Sequence, residues 1–215
     1  LRDVYKRQRH HPAALLGWLR AFRPAYLLTT PAMAGRLAEL SLQAGGGPAL
    51  ARLLCFGEAV APPLRAALRA AFGATVIDRY SCEELGWLAL QCPRHDHLHV
   101  MSANVRLEVV DANGRPCPEG EPGRVVLTGL HSHAMPLIRY EIGDVAVRGP
   151  DCDCGIRLPV LARVLGRTRH FLRLPDGSER LAGLTGEHWR GIAPVAEFRL
   201  VQYGDGLLEA FLRCD

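Results

Sequence analysis

From His11 to Asp78, apolar residues fall alternately at helical spacing and in short runs. An Ala/Leu/Trp stretch leads into "AYLLTT" and then "PAMAGRLAELSLQA", where Pro31 suits a first helical turn because no intrahelical N–H bond is lost there. "ARLLCFGE", "APPLRAALRAAFG" and "ATVIDRY" repeat the alternation, with Gly73 as a helix stop. Strand, helix and strand joined by short links predict a parallel sheet in an α/β layer. Beyond Tyr80 the period shortens to two, in "GWLALQC", "VRLEVVDANGRPCPEGEPGRVVLTGL" and "GDVAVRG". Antiparallel β is expected, with an Asn-Gly turn in "DANGRP" and a second polar reversal in "PEGEPG". After Gly166, "RHFLRLPDGSERL" reads as a hairpin and "VAEFRLVQYGDGLLEAFLR" as two further strands.

The expected fold is therefore α/β with a β subdomain: the end of a parallel α/β layer, an antiparallel β unit, then a truncated small α+β domain. The boundaries expected are 11–165 for the larger part, with its α/β layer ending at about 80, and 166–215 for a hinge and the small domain. The opening "LRDVYKRQ" differs in character from the Ala/Leu/Arg-rich text that follows, so residues 1–10 are expected to be an artefactual or disordered end. With no Met at the start, the chain is expected to be a fragment.

Composition narrows the function classes. A 48% hydrophobic chain of 215 residues can bury a core, and its net charge of +4 is spread without a basic block, which argues against nucleic acid. No apolar run approaches the roughly 20 residues of a membrane span, and no signal peptide opens the chain, so a cytoplasmic protein is expected. Seven irregularly spaced cysteines argue against a disulfide scaffold and for metal ligands or buried thiols.

Ligands of open parallel sheets bind beyond the carboxyl ends of the strands. Two such ends carry polar residues: "CFGEA" with Gly57 and Glu58, and "IDRYSCEELG" with Asp78, Tyr80 and Glu84. A nucleotide could lie across them. The plainer alternative makes Glu58 a helix cap and leaves Glu83 and Glu84 on a solvated turn.

"FGEAVAPPLRAALRAAFGATVIDRYSCEELGWLALQCP", "DANGRPCPEGEPGRVVLTGLHSHAMPLIRYEIGD" and "RVLGRTR", in that order and spacing, resemble the adenylate-forming superfamily, in its phenylacetate-coenzyme A ligase-like branch. The resemblance runs from about Pro24 onward. It implies an ATP-dependent acid-coenzyme A ligase, in which a carboxylate and ATP give an acyl-adenylate and pyrophosphate before coenzyme A takes the acyl group. The implied partners are a small carboxylic acid, ATP with Mg2+, and coenzyme A, and a homodimer is allowed. "YSCEE" falls on the family's Tyr-Gly-x-Thr/Ser-Glu, which implies Tyr80 against adenine and Glu84 at the magnesium ion. Ser81 and Glu83 replace the glycine and the hydroxyl residue. The resemblance further implies that Asp144 accepts both ribose hydroxyls, which suits an acceptor-only carboxylate, and that Arg139 anchors the turn before it. Without the resemblance, Asp144 reads as a plain turn residue after Gly143. "GRTR" occupies the hinge, where Arg167 keeps a nucleotide-contacting Arg and Arg169 replaces the usual Asp.

Thiolates and imidazoles are the usual ligands of structural zinc, and Cys92, "PRHDHLH" and "DCDCG" supply both. Some members of the resembled branch place a Cys and a His before the β unit and a Cys-x-Cys-Gly after it. The resulting candidates are Cys92, His99, Cys152 and Cys154. His95 and His97 rank below His99, whose "LHV" context puts it at the start of a strand. The phosphate-cradling loop and the late catalytic Lys of the resembled family are not found in the sequence, so the chain alone is expected to be inactive. The competing expectation is a non-catalytic, zinc-stabilised binding module.

Overall fold

The computed structural model describes residues 11–168, 171–181, 192–193, 195–204 and 206–214. The polypeptide forms two compact units that divide between Val164 and Leu165. The expected end segment 1–10 and Arg169 lie outside the described residues.

In the first unit, helix α1 (Pro12–Phe22) starts at His11, whose Nδ1 accepts from the Ala13 N–H, and Arg23 closes it in the left-handed region. Strand β1 (Tyr26–Thr29) precedes α2 (Pro31–Gln43), where Thr30 caps the first turn by accepting from Met33. β2 (Arg52–Phe56) is followed by α3 (Pro62–Phe72) and β3 (Thr75–Cys82). Gly73 ends α3 at φ 64°, a conformation that costs a residue with a Cβ. Leu37, Leu53, Leu68 and Phe72 pack between these helices and one face of the strands.

β4 (Gly86–Gln91), β5 (Leu98–Val100), β6 (Val105–Val110), β7 (Pro122–Gly129), β8 (Tyr140–Arg148) and β9 (Val160–Arg167) follow. They build a second apolar core around Leu88, Val105, Val125, Leu127 and Leu161. At the "DANG" turn, Asp111 Oδ1 accepts from the N–H groups of Asn113 and Arg115, which ties the β6–β7 connection locally.

The two textures read from the sequence meet in one nine-stranded sheet of order β1-β2-β3-β4-β5-β9-β8-β7-β6. β3 is the joint, pairing with β2 in parallel and with β4 antiparallel. Periodicity distinguishes a parallel from an antiparallel strand but carries no signal that one strand serves both, so the continuity of the sheet is a finding of the structure.

Among its described residues the second unit holds two antiparallel hairpins, β10 (Phe171–Arg173) with β11 (Glu179–Leu181) and β12 (Val195–Gln202) with β13 (Leu208–Cys214). Gln202 joins them, its side chain accepting from the Arg173 N–H at 2.9 Å and donating to the Arg173 carbonyl at 2.7 Å.

Candidate functional site

β2 and β3 run parallel with Phe56 opposite Arg79, so Gly57 and Tyr80 emerge side by side at their carboxyl ends. Gly57 turns the chain at φ 86°, and Glu58 behind it is exposed. Glu58 does not cap α3 as the plain alternative supposed: the N-cap is Ala61, without a side-chain bond, and two prolines open the helix. Proline at the first position removes one of the N–H groups a cap would serve.

The pairing of β3 with β4 slips between Tyr80 and Ser81, a bulge that re-aims the strand where the candidate nucleotide residues begin. Tyr80 Oη donates to Asp144 Oδ2 at 2.7 Å. Asp144 is 7% exposed and lies inside β8, so it is not the plain turn residue that Gly143 suggested. Along the sheet, β3 and β8 are four strand steps apart, which in a flat sheet is about 19 Å. Their contact requires the sheet to curl until the two strands face each other.

Glu84 is exposed in the β3–β4 turn. Burial pushes the Cys82 thiol up, and the Glu84 carboxylate beside it pushes the same way against the Leu85 N–H. On the neighbouring strand end, Asp78 accepts from the Val60 N–H at 3.3 Å, and Arg65 donates to the Val76 carbonyl at 2.9 Å and to the Gln91 side chain. Burial raises the Asp78 carboxyl, against the Val60 N–H and the Arg65 charge. Arg79 sits between the rings of Phe56 and Trp87, 5.1 and 5.0 Å from their centroids. No motif marks this bracing of the strand ends; cross-strand pairing alone brings its members together.

Arg139 adopts φ 50° and is held by a 3.5 Å ion pair with Glu108, a bond to the Gly114 carbonyl, and its own N–H on Thr128 Oγ1. Beside it, Arg124 pairs with Glu141 at 2.6 Å and donates to the Asp111 carbonyl. The charges of "LIRYEIGD" thus divide: Arg139 and Glu141 fix the strand entry, and Asp144 meets Tyr80.

Arg167 is exposed at the end of β9, within the second unit.

Of the four sulfur and nitrogen candidates, Cys92, His99 and Cys152 gather within 4.8 Å of one another, and Cys154 lies against His99 outside that group. Cys92 Sγ lies 3.8 Å from Cys152 Sγ, and Cys154 Sγ lies 3.2 Å from His99 Nε2. His99 is 3% exposed, and its Nδ1 faces the Leu158 carbonyl at 3.4 Å, which directs Nε2 toward the thiols. His97 also reaches the cluster: its ligating atom lies within 4.8 Å of those of Cys92, His99 and Cys152. Its Nε2 is buried without a hydrogen-bond partner among the described residues. Burial, then the His99 and His95 rings, hold the His97 imidazole low and therefore neutral, the form that binds metal. Burial works against ionisation of Cys92, but the Arg94 N–H and the His99 ring hold that thiol down at about 6. Cys152 is pushed up to about 11, chiefly by burial, so it would ionise only on binding a metal. Two thiol-bearing loops with buried imidazoles fit the donor chemistry of tetrahedral zinc.

Known proteins resemble this chain in sequence and in fold. The AMP-binding enzyme family matches residues 4–135. Phenylacetate-coenzyme A ligase of Thermus thermophilus is 30% identical over 162 residues, which are 72% of this chain and 36% of that protein. The Pseudomonas putida phenylacetate-coenzyme A ligase is 28% identical over 161 residues, with the same coverage. The chain thus spans about a third of the length of the curated relatives it matches. A solved 2-hydroxyisobutyryl-CoA ligase, in the postadenylation state with an acyl-AMP, superposes with a TM-score of 0.76 at 24% identity, over 94% of this chain and 45% of its own.

Proposed function

Because the chain belongs to the AMP-binding enzyme family, we propose that it forms the later part of an ATP-dependent carboxylic acid-coenzyme A ligase that works through an acyl-adenylate. The observation that carries this reading is the Tyr80–Asp144 pair, a buried carboxylate bonded to β3 next to the β2 end that leads into Gly57 and Glu58 and ahead of the turn that bears Glu84. In this reading Asp144 accepts the ribose hydroxyls of ATP and then of the adenylate, while the Tyr80 phenol fixes the carboxylate and its ring borders the adenine. The Gly57–Glu58 turn closes the same end of the crevice. Glu84 would hold Mg2+, whose charge offsets that of the phosphates during adenylation. Arg167 would contact the nucleotide from the hinge. Coenzyme A is the acyl acceptor, and the acid is a small carboxylate like those of the relatives.

Zinc belongs to this reading as a structural ion held by Cys92, His99, Cys152 and Cys154. It would tie the β4–β5 connection to the loop before β9, away from the nucleotide. A cytoplasmic location belongs to the same reading, since a reducing compartment keeps thiols available for metal. No helix among the described residues is long and apolar enough to cross a membrane.

The test is exchange of labelled pyrophosphate into ATP by the full-length protein, supplied with a panel of small carboxylic acids. Acid-dependent exchange that falls sharply in Asp144→Ala supports the ligase. No exchange with any acid, or exchange indifferent to that substitution, removes the role assigned to the pair.

A further inference from the structure

The zinc cluster holds more donors than one tetrahedral ion can use. Outside the inner group, a second set consists of His95, Cys152 and Asp153, whose ligating atoms also lie within 4.8 Å of one another. Cys152 is common to both sets. We propose that the Cys152 thiolate bridges two divalent ions: the inner zinc, and an outer, solvent-facing ion that His95 and Asp153 complete together with water. The proposal rests on the zinc reading above for its inner ion.

The geometry is prepared on the outer side as well as the inner. His95 Nε2 and Asp153 Oδ1 are hydrogen-bonded at 2.6 Å, so imidazole and carboxylate are already neighbours beside Cys152, and an ion between them would replace that bond. The backbone around them is pinned: Arg94 donates to the Asp153 carbonyl at 3.2 Å, and Gln91 Nε2 donates to the His95 carbonyl at 3.0 Å. The His95 ring stacks on His97 at 5.2 Å, and His97 meets His99 edge-on at the same distance, so three imidazoles run in a row from the surface to the inner thiols. A simple surface ion pair between His95 and Asp153 needs neither a thiol within reach nor this bracing.

A thiolate bound to one ion keeps lone pairs for another, so one sulfur can serve two centres. The donors on the outer side are sulfur, nitrogen and a single carboxylate, which suits Zn2+ or Co2+ and disfavours Mg2+ or Ca2+. Asp153 lies between the two cysteines in "DCDCG", so the strand of donors that supplies the inner ion turns its middle residue outward. His95 and Asp153 are exposed, and the outer ion would exchange with solvent more readily than the inner one.

Full-length protein, stripped of metal under reducing conditions, is titrated with Co2+ while the thiolate-to-cobalt charge-transfer absorption is followed. The expected result is two equivalents per chain, both raising that absorption because Cys152 touches both ions. The double variant H95A/D153A, altered only at exposed positions, should take one equivalent and keep the wild-type far-ultraviolet circular dichroism. Cys92→Ser should weaken the first, tighter equivalent. One equivalent in the wild type, lost in Cys92→Ser, overturns the outer site and leaves the inner reading standing. Two equivalents retained in H95A/D153A also overturn it, and no thiolate-cobalt absorption at all overturns both.

Discussion

Tyr80 and Asp144, 64 residues apart in the chain, are joined by a 2.7 Å bond from phenol to carboxylate across a sheet that must curl to bring them together. One carboxylate oxygen is thereby fixed before any ligand arrives. A second consequence is that the residue placed at adenine and the residue placed at ribose are oriented by each other, so loss of either disturbs both.

Asp144→Ala in the full-length protein removes a charged acceptor, at a cost of about 1.5 to 3 kcal/mol per hydroxyl bond, or at least roughly tenfold in ATP affinity. Tyr80→Phe keeps the ring and loses the orienting bond. It should raise the KM for ATP less than Asp144→Ala does. Equal or reversed effects in steady-state kinetics would show that the phenol does more than orient.

Metal removal tests the zinc cluster. Chelation, or Cys92→Ser, should lower the thermal midpoint of the first unit and cut the zinc content measured by mass spectrometry. Asp144→Ala should leave zinc content unchanged. Purified, reduced protein without zinc would return the cysteines to ordinary packing.

The Asp78 carboxyl, raised by burial above its ordinary value of 3.8, gives a pH signature. A folded-state pKa above the unfolded one means that the native state holds the proton more tightly. The contribution is complete below the ordinary value and is lost as pH rises through the raised one. Asp78→Asn keeps an acceptor for the Val60 N–H and cannot ionise. Relative to that variant, the wild type should therefore lose stability to urea as pH rises from about 4 toward neutrality. Parallel pH curves for the two proteins would show that burial does not hold the carboxyl up.

Gly123 sits where a Cβ would lie 2.7 Å from the Val110 carbonyl oxygen and against Cys117 Sγ. Backbone cannot yield as a side chain can, so Gly123→Ala should cost about 1 to 3 kcal/mol. Denaturant unfolding measures this directly. A neutral result would mean that β6 and β7 separate easily at that point.

Much of this is legible in the chain. Pro31 marks a helix start, and Gly73 marks a stop; the two periods separate parallel from antiparallel strands. The donor loops are visible because "PRHDHLH" and "DCDCG" concentrate metal-binding atoms. Local text cannot show that β3 serves both kinds of pairing or that Tyr80 meets Asp144, since both depend on sheet order and curl. His97 ranks below His99 by its place before the strand, yet the chain carries it to the same cluster. Asp153 gives no signal of its own, because a carboxylate between two cysteines declares no direction until the loop folds.

The strand that joins the two pairing modes also constrains how the molecule is assembled in time. β2 and β3 are parallel neighbours, so they meet only after the intervening helix α3 has folded back, whereas β3 and β4 can zip through a short turn. Closing the link from Tyr80 to Asp144 across the curled sheet must wait for six further strands, β4 to β9, because β9 lies between β5 and β8. Contacts of such long sequence separation are among the slowest to form. The Tyr80–Asp144 link is thus expected to be among the last contacts of the first unit to form, and a chain arrested early would present β3 with only one of its two edges satisfied.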